Sequence, residues 1–364
     1  MKISMGVLML CQVFASCTAA PLQVVFSGMS DASAAIALDA EHFVVTDDEN
    51  NTLRIYRMDQ PSAPVKQIDL TAFLCVDDKY PEADIEGAAR VGERIYWITS
   101  HGRNKDGKER PNRLALFATD IVKTDGGDVT LKPVGRPYRR LAYDLMYNPA
   151  LQGLKLSEAI GLDRSLSKKE LEVLAPKEKG LSIEGLAVGP DGTMLIGLRN
   201  PVHKDPVSKK DKAILLVLKN PEAMLTDGED AQFGSTLLLD TEGLGIRSIE
   251  QVTADSETLY MIAAGPADGK KTFAFYAWAG GDAPLRKLSV NLPDEFTPEA
   301  IFQIPGMKTV WVLSDDGTLE KPVSNEYECL PGERLKNGMC PNKFLVDPSH
   351  RTFRAIQLHP DKNQ

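Results

Sequence analysis

After the first twenty residues, no stretch approaches the ~20 consecutive apolar positions of a membrane-spanning helix, which argues against a helical integral membrane protein. Common enzyme signatures are missing too. The chain holds no GxGxxG, no P-loop, no GxSxG elbow and no HExxH. A nucleotide-driven enzyme, a serine hydrolase of the usual α/β kind and a zincin are therefore disfavoured. Five cysteines include no CxxC pair, so neither a zinc ribbon nor a thioredoxin-like site is indicated. Positive charge is in deficit: 42 Lys and Arg face 51 Asp and Glu, a net charge of −9. A surface for nucleic acid or anionic membrane needs clustered positive charge, whereas a metal or cationic ligand suits this balance.

What is present is enough for a large core. Of the 364 residues 43% are hydrophobic and 26% charged, which excludes disorder as the main state. The length suggests two domains, yet large all-β folds run longer as one unit. Residues 1–20 read as an export signal of bacterial type: Lys2, an apolar run from Ile3 to about Ala15, then small residues to Ala20. Ordinary cleavage after Ala20 competes with a lipobox reading of Phe14-Ala15-Ser16-Cys17, which would place a lipid anchor on Cys17. Either way the expected location is periplasmic or secreted. In such a compartment Cys329 and Cys340, which bracket a loop with Pro331, Gly332 and Gly338, are expected to form a disulfide. Cys75 reads as a buried thiol.

A repeat runs through the mature chain, residues 21–364. Asp84-Ile85-Glu86-Gly87, Ser182-Ile183-Glu184-Gly185, Ser248-Ile249-Glu250 and Thr297-Pro298-Glu299 align, and a degenerate copy begins at Asp31. Each copy leads through a short turn into a second β-rich run, and third and fourth runs follow. The last unit lacks a fourth, which Leu22–Phe26 would supply by pairing with the end of the chain. Four-stranded units at this spacing are the signature of a β-propeller in a single domain. Five blades are counted. Residues 138–178 show leucines at helical spacing and read as a helical insertion; a sixth blade hidden there is the alternative.

Antiparallel blades bring the start of each innermost strand and the finish of the second to one face. The long loops 100–113, 199–212 and 314–350 emerge there, and the helical insertion is expected there too. Glu86, Glu184, Glu250 and Glu299 would then converge at the channel mouth. Four carboxylates that close repel one another unless something neutralises them. A Ca²⁺ or Mg²⁺ ion would do so, with Asp47, Asp48, Asp315 and Asp316 as further oxygens. The competing expectation is a structural ring, each Glu bound by backbone amides or by Arg103, Arg199 or Arg247. His101, at the end of a strand, reads as a general acid or base, and Arg103 and Arg199 as holders of an anionic group.

The segments Ile85–Arg90, Ser100–Arg113, Ile183–Ala187, Leu195–Pro201 and Gly245–Glu250 resemble a bacterial family carrying a "domain of unknown function" label. That family is similar in turn to phytase-like and esterase-like propeller domains, through the Ile-Glu-Gly-Leu element. The resemblance implies a propeller and suggests hydrolysis. The expected activity is therefore metal-dependent hydrolysis of a phosphoester, ester or lactone. A non-catalytic propeller that binds a ligand or protein, with Tyr327, Tyr138, Tyr143 and Tyr147 as candidate contacts, is one alternative. A glycosidase is another, although Trp97, Trp278 and Trp311 all fall inside strands.

Overall fold

The computed structural model describes residues 22–360 except 125, 177, 255, 256 and 269. The export signal, with Cys17, lies outside the described residues. Five antiparallel four-stranded blades form a ring. Blade I is Ala32–Ala37, His42–Asp47, Thr52–Arg57 and Lys66–Asp69, from the axis outward. Blade II is Ile85–Val91, Arg94–Thr99, Leu116–Lys123 and Val129–Tyr138. Blade III is Ser182–Val188, Met194–Asn200, Asp211–Leu218 and Leu237–Leu239, with His203–Lys204 added beside its third strand. Blade IV is Gly245–Ala254, Glu257–Gly265, Ala274–Trp278 and Arg286–Leu288. Blade V is Pro298–Phe302, Val310–Ser314 and Thr352–Leu358, and Gln23–Ser27 from the other end of the chain completes it.

Each innermost strand packs against the innermost strands of both neighbouring blades, so the ring closes at five. A sixth blade is excluded because the long interval after Glu86 holds the rest of blade II and then helices. These are Leu141–Tyr147, Leu156–Ile160 and Lys168–Val173, with a 3₁₀ turn at Pro149–Leu154. Leu141, Leu145, Leu151, Leu156 and Ile160 are buried and share one core with Tyr96 and Leu116 of blade II and Leu186 and Leu198 of blade III. The insertion thus rides on the seam between blades II and III.

The innermost strands carry a shared irregularity. Pairing slips at Glu86 in blade II, Glu184 in blade III, Arg247 in blade IV and Glu299 in blade V. In blade I it slips across Ser33 and Ala34. A bulge leaves one residue outside the ladder and re-aims its side chain. The glycine that follows Glu in two blades has a packing reason. A Cβ on Gly87 would lie 2.8 Å from Ile98 Cγ2 and 3.0 Å from Leu186 Cβ of the next blade. One on Gly185 would lie 2.9 Å from Ile246 Cγ2.

Closure of blade V rests on aromatic packing. Phe26 stacks on Phe353 at 5.2 Å and meets Phe43 edge-on at 5.1 Å, and Phe43 stacks on Phe302 at 4.9 Å. The expected disulfide joins Cys329 to Cys340 and staples the long loop of blade V. Cys75, by contrast, is exposed, because it sits in the turn after blade I with a left-handed backbone, φ 48°.

Phe26 is fully buried at the ring seam. Phe26→Ala should lower unfolding free energy by about 3–5 kcal/mol. Urea denaturation followed by tryptophan fluorescence measures it; a loss under about 1 kcal/mol would mean the ring does not depend on this closure.

Candidate functional site: the acidic mouth of the ring

The bulges place Glu86, Glu184, Arg247 and Glu299 at one end of the ring, together with residues that leave the second strands. The result is a mouth with two unlike halves. On the side of blades III to V every bulged carboxylate is ion-paired. Arg199 Nη1 donates to Glu184 Oε1 at 2.7 Å. Arg247 Nε lies 3.5 Å from Glu184 Oε2 and donates to Glu299 Oε2 at 2.9 Å, and its Nη2 also pairs with Glu299. Burial opposes charge on Glu184, but Arg199 and Arg247 together hold its carboxyl below the usual range.

The side of blades I and II is different. Asp31 and Asp84 occupy equivalent places: the carbonyl of each accepts the amide that leaves the second strand, from Asp48 at 3.3 Å and Ser100 at 2.8 Å. Asp48, Asp84 and Glu86 each offer an oxygen within 4.8 Å of the others, and so do Asp31, Asp48 and Glu49. Asp48 belongs to both sets. Asp84 accepts from Ser100 Oγ and pairs with Arg113 at 2.9 Å. Glu49 pairs with Lys343, which the disulfide-bearing loop brings to the mouth. Among the described residues, Asp48 and Glu86 have no ion-pair partner, and Asp48 Oδ1 is buried without a hydrogen bond. Burial and then neighbouring acids push both carboxyls well above the ordinary value: Asp31 and Asp315 act on Asp48, Asp84 and Glu184 on Glu86. Oxygen ligands crowded without countercharge are what a hard divalent cation requires.

A cleft of about 800 Å³ opens over this half, between the mouth and the insertion. Its lining includes Asp48, Asp84, Glu86, Glu184 and Arg199 from the mouth, and Lys105, Lys108 and Lys168 interleaved with Asp106, Glu172 and Glu178 from the loop and the insertion. Sequence spacing identified Glu86 and, as a supporting oxygen, Asp48. It missed Asp84, Asp31 and Glu49. The available signal was an acid just before the innermost strand in both blade I and blade II.

Four sequence expectations need correction. Glu250 does not occupy the Glu86 position. Ile246 pairs with Ala264 and Ser248 with Ala263, so the bulged residue is Arg247; Glu250 pairs with Met261, three residues farther along the strand. The motif Ser-Ile-Glu matched by residue identity, whereas strand register decides the position. Glu184 and Glu299 are in the mouth, but Arg247 lies between them, so the four glutamates do not surround one cation.

His101 is absent from the cleft. Its ring turns behind the loop into a separate, smaller cavity. Burial holds its pKa down to about 4, so the imidazole is neutral at pH 7. Arg103 borders the cleft, but its guanidinium donates to Ile160 O, Gly161 O at 2.7 Å and Gly107 O at 3.1 Å. It braces the loop against the insertion. Arg199 likewise divides its donors between Glu184 and the carbonyls of Pro266 and Ala267. Of the tyrosines, Tyr138 is buried, while Tyr143, Tyr147 and Tyr327 are exposed. Trp97, Trp278 and Trp311 are buried in strands and offer no sugar-stacking surface.

The acids of blade I give the mouth a pH dependence. Burial, then Asp315, then Asp47 push Asp31 up to about 8 from the ordinary 3.8. Burial lifts Asp47 to about 6, against the pull of Arg54. A carboxyl whose folded pKa is raised gives stability that is complete below the unfolded pKa and is lost as pH rises through the folded one. The melting temperature of cation-free protein should therefore fall from about pH 5 to pH 8. Asp31→Asn should flatten the upper part of that decline. Calorimetry in chelator at stepped pH checks both; a flat profile in the parent protein would contradict the assignment.

No curated protein matches the sequence. Solved structures that align include a glutaminyl cyclase from Myxococcus xanthus, at 12% identity over 81% of this chain and 90% of that one, TM-score 0.40. A streptogramin B lyase aligns at 7% identity over 93% and 98%, TM-score 0.34. A virginiamycin B lyase from Staphylococcus aureus aligns at 9% over 93% and 99%, TM-score 0.35. Likeness at these scores carries no argument about chemistry. The family described as "Protein of unknown function (DUF3616)" matches over residues 31–309, from the start of blade I into blade V, and the chain belongs to that family.

Proposed function

We propose that the half-mouth of blades I and II is a divalent-cation site, Ca²⁺ or Mg²⁺ in class, and that the protein is an exported hydrolase of phosphoesters, esters or lactones. The observation that carries this reading is the pair of acids without countercharge. Asp48, Glu86 and Asp84 each offer an oxygen within 4.8 Å of the others, while Glu184 and Glu299 across the mouth are paired with arginine. A hard cation held there would polarise a phosphoryl or carbonyl oxygen and make bound water more acidic.

The chain's own contributions follow from position. Asp48, Asp84 and Glu86 supply oxygens, with Asp31 and Glu49 beside them. Arg113 and Ser100 fix the Asp84 carboxylate in place. Lys105, Lys108 and Lys168 on the cleft wall attract the anionic part of a substrate, the role that sequence spacing gave to Arg103 and Arg199. The disulfide supports an oxidising compartment, in keeping with export to the periplasm or beyond. A second reading, a non-catalytic docking propeller, draws on the exposed Tyr143 and Tyr147 of the insertion's first helix.

Mass spectrometry of metal content and calorimetric titration with Ca²⁺ and Mg²⁺, on residues 21–364, test the site. Asp48→Asn and Glu86→Gln should each weaken binding by about 10-fold or more, and Glu184→Gln by much less, because Glu184 is held by arginines. Hydrolysis of p-nitrophenyl phosphate and p-nitrophenyl acetate should stop in chelator and return with the cation. Equal metal binding in the Asp48 and Glu86 variants would sink the site. Metal binding without hydrolysis of any ester, phosphoester or lactone tried would leave the docking reading.

A further inference from the structure

Two groups of acids meet at the mouth, and Asp48 belongs to both. Asp48, Asp84 and Glu86 form the first, and Asp31, Asp48 and Glu49 the second. Within each group every residue offers an oxygen within 4.8 Å of the others. The groups differ in the cation that faces them. In the first, Arg113 pairs with Asp84 and divides itself with Glu82, and Glu86 has no ion pair among the described residues. The second receives a lysine. Lys343 Nζ pairs with Glu49, and Asp31 and Asp48 add to the attraction. Of the basic side chains, the lysine ammonium is the compact point charge, and so the closest to a bound metal ion.

Specific contacts deliver that ammonium from the disulfide-bearing loop. Asn342, beside it, is fully buried and locks the loop to the ring. Its amide N–H donates to Leu319 O at 2.9 Å, its Nδ2 donates to Asp316 O at 3.0 Å and to Thr352 O at 2.6 Å, and Thr352 N donates to its Oδ1 at 3.2 Å. Lys343 N donates to Gly317 O at 3.0 Å. Gly317 in turn lies against the second group: a Cβ there would collide with the Asp31 carboxylate, so only glycine lets the loop pass this close. The Lys343 side chain is 27% exposed, and its Nζ lies 5.5 Å from the centre of the Phe344 ring. This is a held side chain rather than a solvated one.

We propose that Lys343 is the resident cation of the second group and limits the mouth to one divalent ion, held by Asp48, Asp84 and Glu86. The inference rests on the cation reading of the mouth given above. Two sets of oxygen ligands joined by a shared carboxylate can hold a pair of divalent ions, as two-metal hydrolytic centres do. Here the ammonium neutralises Glu49 and repels a second divalent ion from Asp31, Asp48 and Glu49. The mouth then offers a substrate one Lewis acid beside one fixed single charge. Lys343 is in this sense a specificity-determining residue: it sets how many ions the acids take, and through Asp48 how tightly the remaining one is held. A lysine that merely ties the loop to blade I would leave the ion count unchanged on its removal.

The test counts ions. Residues 21–364 are freed of metal with chelator and titrated with Ca²⁺ to about 10 mM, above the roughly 10⁻⁴–10⁻³ M range of extracellular calcium modules. Native mass spectrometry reads the stoichiometry and calorimetry the affinities. The parent protein should bind one Ca²⁺ and Lys343→Met two, and adding Asp31→Asn to Lys343→Met should return the count to one. Asn342 holds the backbone, so Lys343→Met should keep a cooperative melt; should it fail to fold, Lys343→Gln takes its place. One ion in the folded Lys343 variant, or two in the parent, overturns the proposal and leaves the cation reading of the mouth standing. A parent that binds no ion removes that reading and this inference with it.

Discussion

One guanidinium organises the mouth of this ring. Arg247 lies between Glu184 and Glu299 and removes from three blades the repulsion that closure would impose on their bulged residues. Five innermost strands starting around one axis bring their first side chains together whatever those side chains are. The solution here is asymmetric. Arginine is concentrated on one side, and on the other Asp48 and Glu86 remain without an ion pair among the described residues, although Asp84 and Glu49 beside them are paired with Arg113 and Lys343. Burying carboxylates unpaired is expensive. That cost fits a group whose partner is an ion from solution rather than a side chain.

The bulge gives this asymmetry its geometry. A regular strand would send alternate residues to the axis and to the blade interface, and a side chain at the rim would have no reason to point along the mouth. One residue released from the ladder does so. The small residue after it lets the neighbouring blade approach, as Gly87 and Gly185 show. Packing and site are therefore set by the same two positions. A change at either glycine would disturb both the seam between blades and the aim of the carboxylate.

Much of this was legible in the sequence. Short turns, four β-runs per unit and the Ile-Glu-Gly element carry the propeller, the blade count and the closing strand. The chemistry of the mouth was legible only in part, for physical reasons. Glu250 was placed by residue identity, but the bulge at Arg247 is fixed by pairing across the strand. His101 was placed by its position at a strand end, yet a left-handed residue there reverses the direction of the ring. Arg103 and Arg199 were read either as holders of an anionic group or as partners of the glutamates; Arg199 does pair with Glu184, and the other donors of both go largely to backbone carbonyls that no local pattern announces. Asp31 and Asp84 stand in the aligned repeat, but only the glutamate column, inside the strand, was read as ligand-bearing.

The closing strand has a consequence for how the chain reaches this shape. Among the described residues Gln23–Ser27 pairs with Thr352–Leu358, nearly the full length of the chain away. Four blades can condense as their sequence becomes available, each on its predecessor. The fifth stays three strands wide until its missing edge arrives. During that interval Thr352–Leu358 presents unpaired amides and carbonyls, beside Phe353 without the stacked ring of Phe26. Maturation of the ring thus ends in a kinetic race between the chain's own first strand and any foreign strand that finds the same edge.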